Sequence, residues 1–224
     1  MQRKYYEAYD DRYRQVHKEN LKWFEKEQSP IVEAVAAKYA IEPEHRLLEI
    51  GCGEGRDAVY LLHRGYDLLA TDVSLEAIRF CRRQFPAFAE RFQKLDCITE
   101  SIPQRYDFIY AVAVVHMLVL DEDRDRFYSF IRRHLAQSGV ALICTMGDGC
   151  VERQTDIHTA FDLQQRLHEA SGKMLDIAST SCRMVSFDTF RKELVRNGLT
   201  ILEDGISQDV PGFSEMMYAV VKKA

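Results

Sequence analysis

The residues that could do chemistry lie close together early in the chain. Glu49-Ile50-Gly51-Cys52-Gly53-Glu54-Gly55 is followed, one apolar run later, by Asp72. Glycine takes positive φ at no steric cost and lets a ligand approach the backbone, because no Cβ intervenes. A helix opening just after such a turn presents free N–H groups and a positive dipole end to a negative group. A carboxylate closing the next strand can accept hydrogen bonds from both hydroxyls of a ribose. The spacing is G-x-G-x-G. A dinucleotide turn reads G-x-G-x-x-G, and Arg56 stands where its third glycine would be. A large side chain there disturbs helix–strand packing and the seat of a pyrophosphate. The pattern therefore suits a ligand with a ribose and a carboxylate but no pyrophosphate.

This turn and its acidic partner resemble those of the class I S-adenosylmethionine-dependent methyltransferases. Arg56-Asp57-Ala58-Val59-Tyr60-Leu61 and Arg64-Gly65-Tyr66-Asp67 look most like the branch holding the tellurite-resistance and thiopurine methyltransferases. The resemblance covers roughly residues 44 to 146. It implies S-adenosylmethionine as cofactor and S-adenosylhomocysteine as product. It places Glu49, Gly51, Cys52, Gly53, Asp72 and Val73 around the methionine and ribose. It sets Asp96 against the adenine amino group with Cys97 and Ile98 beside the ring, and the backbone carbonyl of Ala111 on the ligand's amino group. His116-Met117-Leu118 stands at the site edge near the sulfonium end, with His116 as the first catalytic candidate. For the acceptor side the candidates are Tyr5, Tyr9, Trp23, Asp148, His158 and Arg183, with Met184 beside the last. Two other readings stay open. One is a module that binds the cofactor without catalysis; the other is an NAD-dependent oxidoreductase, which Arg56 disfavours.

The elements that must position these residues can be read from periodicity. Arg46–Ile50 and Asp67–Thr71 are apolar runs of strand length, and Ala58, Val59, Leu61 and Leu62 recur at helical spacing between them. Further strands are expected at Phe92–Leu95, Tyr106–Val112 and Val140–Met146, with a helix over Arg126–Leu135 stopped by Ser138-Gly139. Asp121 to Asp125 reads as a solvated charge run at a loop and helix start. Leu199–Leu202 and Met216–Val221 read as an antiparallel pair joined through Pro211-Gly212. The fold class is thus α/β: a Rossmann-like seven-stranded, mostly parallel sheet, helices on both faces, and an antiparallel C-terminal strand pair. Residues 1–43 are expected to form a helical N-terminal cap. It reads as helices with a break: Tyr5, Tyr6, Tyr9 and Tyr13 recur at near-helical spacing, followed by Val16, Leu21, Trp23 and Phe24, and Ser29-Pro30 opens a second helix. Residues 44–224 form the cofactor-binding domain, with a cap insertion around 150–183 in which Ala160–Ala170 is expected to be helical.

Composition narrows the function. The chain has 224 residues, 46% of them apolar, and a net charge of −5. No basic run exists to grip phosphates, so nucleic acid is not expected as a partner. The N-terminus has no apolar signal core and no run could span a bilayer. The cysteines (Cys52, Cys81, Cys97, Cys144, Cys150, Cys182) include no C-x-x-C pair, so a cytoplasmic protein with reduced thiols and no metal is expected. There is no (N/D)-P-P-(Y/F) segment after the fourth strand, no Pro-Cys, and no glutamate pair of the protein-arginine type. What remains is a small-molecule acceptor (a thiol, metalloid, amine or hydroxyl) and a monomer or homodimer.

Overall fold

The structure is a computed structural model and describes residues 3–23, 27–168 and 170–224; Phe24 lies outside them. A 3-10 turn at Tyr5–Glu7 leads into α1 (Ala8–Lys18), and α2 (Pro30–Lys38) follows. The core then alternates: β1 (Arg46–Ile50), α3 (Arg56–His63), β2 (Asp67–Asp72), α4 (Leu75–Gln84), β3 (Phe92–Lys94) and β4 (Tyr106–Val112). After it come α5 (Asp121–His134) and β5 (Leu135–Thr145). Two short strands, β6 (Arg153–Gln154) and β9 (Arg183–Met184), bracket a hairpin of β7 (Leu163–His168) and β8 (Lys173–Ala178). The chain ends with α6 (Phe187–Arg196), β10 (Leu199–Ser207) and β11 (Met216–Lys223).

Seven strands form one sheet in the order β10-β11-β5-β4-β1-β2-β3. β1 to β5 run parallel, and β11 returns antiparallel beside β5 with β10 outside it. Successive residues of a strand face opposite sides, so a sheet covered on both faces needs unbroken apolar runs. Leu47 packs with α2, α3 and α4, while Leu48 packs on the side of α5 and α6. The chain reverses between β1 and β4 at the sheet centre, so the C-terminal ends of β1, β2 and β4 open a crevice there.

Three expectations need correction. The described part of 160–170 is not helical: a 3-10 turn at Ile157–Thr159 leads into the β7–β8 hairpin. Along it Leu175, Ile177 and His168 point inward, where the two aliphatic side chains pack with Val16 and, at the edge, Leu21 and Trp23. Leu163, Leu167 and Met174 point outward. That is a period of two, and Gly172 at φ 69 supplies the turn. The charge run at Asp121 is not a solvated loop. It is the first turn of α5, and it buries Asp123 and Arg124. Finally, Ser138-Gly139 does not stop that helix. The chain enters β5 already at Leu135, and a Cβ on Gly139 would lie 2.9 Å from the carbonyls of Tyr106 and Asp107.

Candidate active site

The glycine turn closes β1 onto β2. The N–H groups of Gly51 and Cys52 both donate to the Thr71 carbonyl, at 2.8 and 2.9 Å. Gly51 and Gly53 have φ of 76° and 52°. Either position would be blocked by a side chain. A Cβ on Gly51 would collide with Val114, and one on Gly53 would lie 2.6 Å from the Tyr13 hydroxyl. Asp72 ends β2 with its carboxylate turned back toward this turn. Gly53 N–H donates to one of its oxygens at 2.8 Å and Ser74 N–H to the other at 2.7 Å. Each oxygen keeps a lone pair for a further donor. Burial raises the Asp72 carboxyl to about 6, while those two N–H groups oppose the shift.

Past the end of β3, Asp96 is held in a similar way. One of its oxygens accepts from Ile98 N–H at 3.0 Å; the other accepts from the Thr99 hydroxyl at 2.7 Å and the Tyr6 hydroxyl at 3.2 Å. Between the two carboxylates runs a cleft enclosing about 610 Å³, part of it open to solvent. Gly51, Ile50, Val73 and Leu95 floor it; Cys97, Ile98, Val114, Met117 and Leu118 form its walls. Its lining is largely apolar with a few placed polar groups, as in small-molecule sites.

The roof is the N-terminal segment. Tyr6, Tyr9 and Tyr13 all line the cleft from above. Tyr9 and Tyr13 lie one helical turn apart on α1, which puts them on one face. The segment is fastened at both ends. Tyr5 donates to Asp123 at 2.8 Å and accepts from Val119 N–H at 3.0 Å. Asp10 accepts from the Ser74 hydroxyl and from Glu76 N–H, at 2.8 and 2.9 Å. Arg12 donates to the carbonyls of Ala178 and Ser179 at the end of the hairpin.

Of the residues expected from sequence, the structure brings Gly51, Asp72, Val73, Asp96, Cys97 and Tyr9 to the cleft, with Gly53 against Asp72 and the roof. Others stand elsewhere. Glu49 is buried under the sheet, accepting from Tyr110 at 3.1 Å, and burial pushes its carboxyl well up. Cys52 is buried beside the Gly53 carbonyl. Ala111 is an interior residue of β4, one strand position short of the edge, where Ala113 turns with φ 60°. His116 is turned into the core rather than toward the cleft. It is 3% exposed with Phe213 edge-on at 6.4 Å, and burial with nearby Arg124 pulls its imidazole down to about 3. Its neighbours Met117 and Leu118 take the cleft instead.

Among the acceptor candidates, Tyr5 is an anchor of the roof and Trp23 is sandwiched between the guanidiniums of Arg12 and Arg166, at 4.9 and 5.0 Å. Asp148 caps the N–H groups of Cys150 and Val151, which lower its carboxyl. His158 is exposed, Met184 pairs with Arg153 in the β6–β9 ladder, and Arg183 bonds Asp121 at 2.7 Å and the Val119 carbonyl at 2.8 Å. The cleft residues missing from the expected set are Tyr6, Tyr13, Ile50, Leu95 and Val114. For Tyr13 the signal was its one-turn spacing from Tyr9.

A mostly parallel sheet closed by an antiparallel hairpin, with a cleft over its central strand ends, is the Rossmann-like fold of the S-adenosylmethionine-dependent methyltransferases. Comparison with known proteins points the same way: a methyltransferase-domain family model matches residues 48–141. A curated relative, hemagglutinin 1 of Eikenella corrodens, is 30% identical over 105 residues, or 44% of this chain and 34% of that protein. The chain thus spans about a third of that relative's length. Among solved structures, the CcbJ methyltransferase of Streptomyces caelestis aligns with a TM-score of 0.71 at 16% identity, covering 98% of this chain and 99% of that one. A TehB-like S-adenosylmethionine-dependent methyltransferase of Corynebacterium glutamicum gives 0.62 at 22%, covering 98% of each. The 1,6-didemethyltoxoflavin-N1-methyltransferase of Burkholderia thailandensis, solved with its acceptor and S-adenosylhomocysteine, gives 0.67 at 15%, covering 94% of this chain and 84% of that one. Among the described residues, no helix is long and apolar enough to cross a membrane.

Proposed function

We propose that this protein transfers a methyl group from S-adenosylmethionine to a small-molecule acceptor, leaving S-adenosylhomocysteine. The observation that carries the reading is the pairing of Asp72 with the glycine turn. A buried carboxylate and a stretch of backbone stripped of side chains face one cleft, and Asp72 already accepts from Gly53 N–H. The cofactor supplies an electrophilic methyl on a sulfonium cation, and the protein contributes position and electrostatics. Asp72 would accept from the ribose hydroxyls and Asp96 from the adenine amino group. Cys97, Ile98 and Leu118 would hold the ring, and Tyr9, Tyr13 and Met117 would face the methyl. Aromatic faces near a cation contribute about 0.5–2 kcal/mol. Residues 1–43 act as the cap of a domain spanning 44–224. With His116 held neutral in the core, no histidine or lysine among the described residues lines the cleft. The acceptors favoured are therefore nucleophiles already carrying a lone pair, such as a thiolate, a metalloid or an amine.

The test is incubation with S-adenosylmethionine labelled on the methyl group and a panel of thiols, metalloids, amines and phenols. Label is expected on members of the first three classes. Label confined to RNA or protein would overturn the reading. Binding of S-adenosylhomocysteine with no transfer to any acceptor would leave a binding module. The oxidoreductase reading is the weaker one, because the Arg56 guanidinium is already engaged by Asp57, the Ser29 hydroxyl and the Pro211 carbonyl.

A further inference from the structure

His17 lies on the last turn of α1, one turn beyond Tyr13, at the closed end of the roof. Its Nε2 is 2.9 Å from a Glu54 oxygen and its Nδ1 is 3.0 Å from a Glu76 oxygen. The side chains of His17 and Glu54 are 8% and 5% exposed, and the ring stacks on Phe80 at 4.3 Å. A carboxylate only accepts, so each of these bonds requires an N–H from the ring. A neutral imidazole has one N–H; an imidazolium has two. The geometry is therefore satisfied only by the cation. Its partners come from two different elements. Glu54 sits inside the glycine turn, between Gly53 and Gly55, and Glu76 sits in the first turn of α4, just beyond Asp72 and Ser74. One charge thus ties the roof helix to the glycine turn and to the start of α4, on either side of the cleft's Asp72.

We infer that His17 is a positioning residue: as an imidazolium bridging Glu54 and Glu76 it holds α1 closed over the cleft, and loss of its proton loosens α1 and speeds ligand exchange. The exchange half rests on the nucleoside reading of the cleft; the latch itself does not. The groups packed around the ring are compatible with this role. Trp23 N–H also donates to Glu54, at 2.7 Å, and Arg83 to Glu76, at 3.3 Å, so neither glutamate loses every donor when His17 becomes neutral. A neutral ring nonetheless turns a bare nitrogen lone pair toward one carboxylate. Tyr13, 5.9 Å away, is pushed well above its ordinary range by burial and by Asp72 and Glu54, and stays neutral throughout. Asp10, which holds the Ser74 end of α1, pairs with Arg14.

Burial lowers the His17 pKa, but the two glutamate bonds outweigh it and leave the group above its ordinary value. A base whose pKa is raised by closure favours the closed state at low pH, and that preference is lost as pH rises through the raised value. Asp72 titrates near 6, below this window.

The experiment is amide hydrogen exchange of α1 in ligand-free protein at pH 6.5 and 8.5, each normalised to the intrinsic rate. In the parent protein, protection of α1 should fall about tenfold between the two. In His17→Gln it should be low at both, and in His17→Lys, whose charge persists, high at both. Equal pH dependence in the parent and His17→Gln overturns the latch. If neither variant folds, pH-independent protection in the parent overturns it. Dissociation of S-adenosylhomocysteine, followed by stopped flow, should quicken in parallel. Absence of binding at every pH would sink the methyltransferase reading and leave the exchange result to stand or fall alone.

Discussion

Asp72 is the residue on which the cleft chemistry turns. Hydrogen bonds to a charged group are worth about 1.5–3 kcal/mol each, so Asp72→Ala should weaken S-adenosylhomocysteine binding by tenfold or more while the far-UV spectrum is unchanged. Calorimetry decides this, and equal affinity would remove Asp72 from the site. The carboxyl titrates near 6. A protonated carboxyl is a poorer acceptor for ribose hydroxyls, so affinity should also fall as pH drops below that value. Gly53 allows a finer test. It combines a left-handed φ with the Tyr13 hydroxyl 2.6 Å from where a Cβ would be. Gly53→Ala should cost about 1–3 kcal/mol in urea unfolding. Tyr13→Phe in the same chain should return part of that by removing the hydroxyl, the remainder being backbone strain. No recovery would show that the hydroxyl moves aside freely.

Among the elements, the wall of the cleft at Met117 and Leu118 depends on helices well away from it. Arg124 of α5, fully buried, donates to both oxygens of Glu193 on α6 at 2.8 and 2.7 Å and to the Val115 carbonyl at 2.8 Å. The pair therefore joins two helices to the turn that carries the wall. Removing one member of a buried pair strands a charge and costs about 3–5 kcal/mol, whereas replacing both by apolar groups is often neutral. Glu193→Ala should lose about that much in denaturant unfolding, and Arg124→Met with Glu193→Leu should recover most of it. Failure of the double variant to recover would mean that the Val115 contact, not charge balance, dominates. This pair also shows where sequence reading stopped. The strands, glycine turn and closing hairpin were legible because they are local patterns. A charge run such as Asp121 to Asp125 looks solvated until a partner 69 residues away is known. The β7–β8 hairpin was misread for a related reason: its inward face is covered by Val16 of a distant helix, and its outward face keeps Leu163 and Leu167 exposed, which hides the alternation. Likewise His116 and Met117 are neighbours in sequence, and only the short turn at Val115–Met117 decides which one meets the cleft.

For the molecule as a whole, the buried titratable groups act together on stability. Glu49 is pushed well up by burial and nearby Asp57, and His17 is held above its ordinary value. Both therefore release their proton at a higher pH in the folded state than in the unfolded chain. Each therefore lowers unfolding free energy as pH rises, by up to about 1.4 kcal/mol per pH unit while its folded form remains protonated. His116, drawn down to about 3, and His134, also lowered by burial, act in the opposite sense. Each loses its proton at a lower pH when folded than when unfolded, so each raises stability as pH climbs toward ~6.5 and contributes nothing beyond it. Glu49 and Asp72, both raised by burial, oppose that gain on the acid side. Above ~6.5 only falling contributions remain from these groups, so stability should decline on the alkaline side. Glu49→Gln keeps an acceptor for Tyr110 and removes one of the groups whose contribution falls as pH rises. Urea unfolding followed upward from pH ~4.5, where an unfolded glutamate ionises, should then show a shallower decline in Glu49→Gln than in the parent. An unchanged slope would mean that Glu49 is already ionised when folded, its charge carried by Arg56 and the Tyr110 hydroxyl.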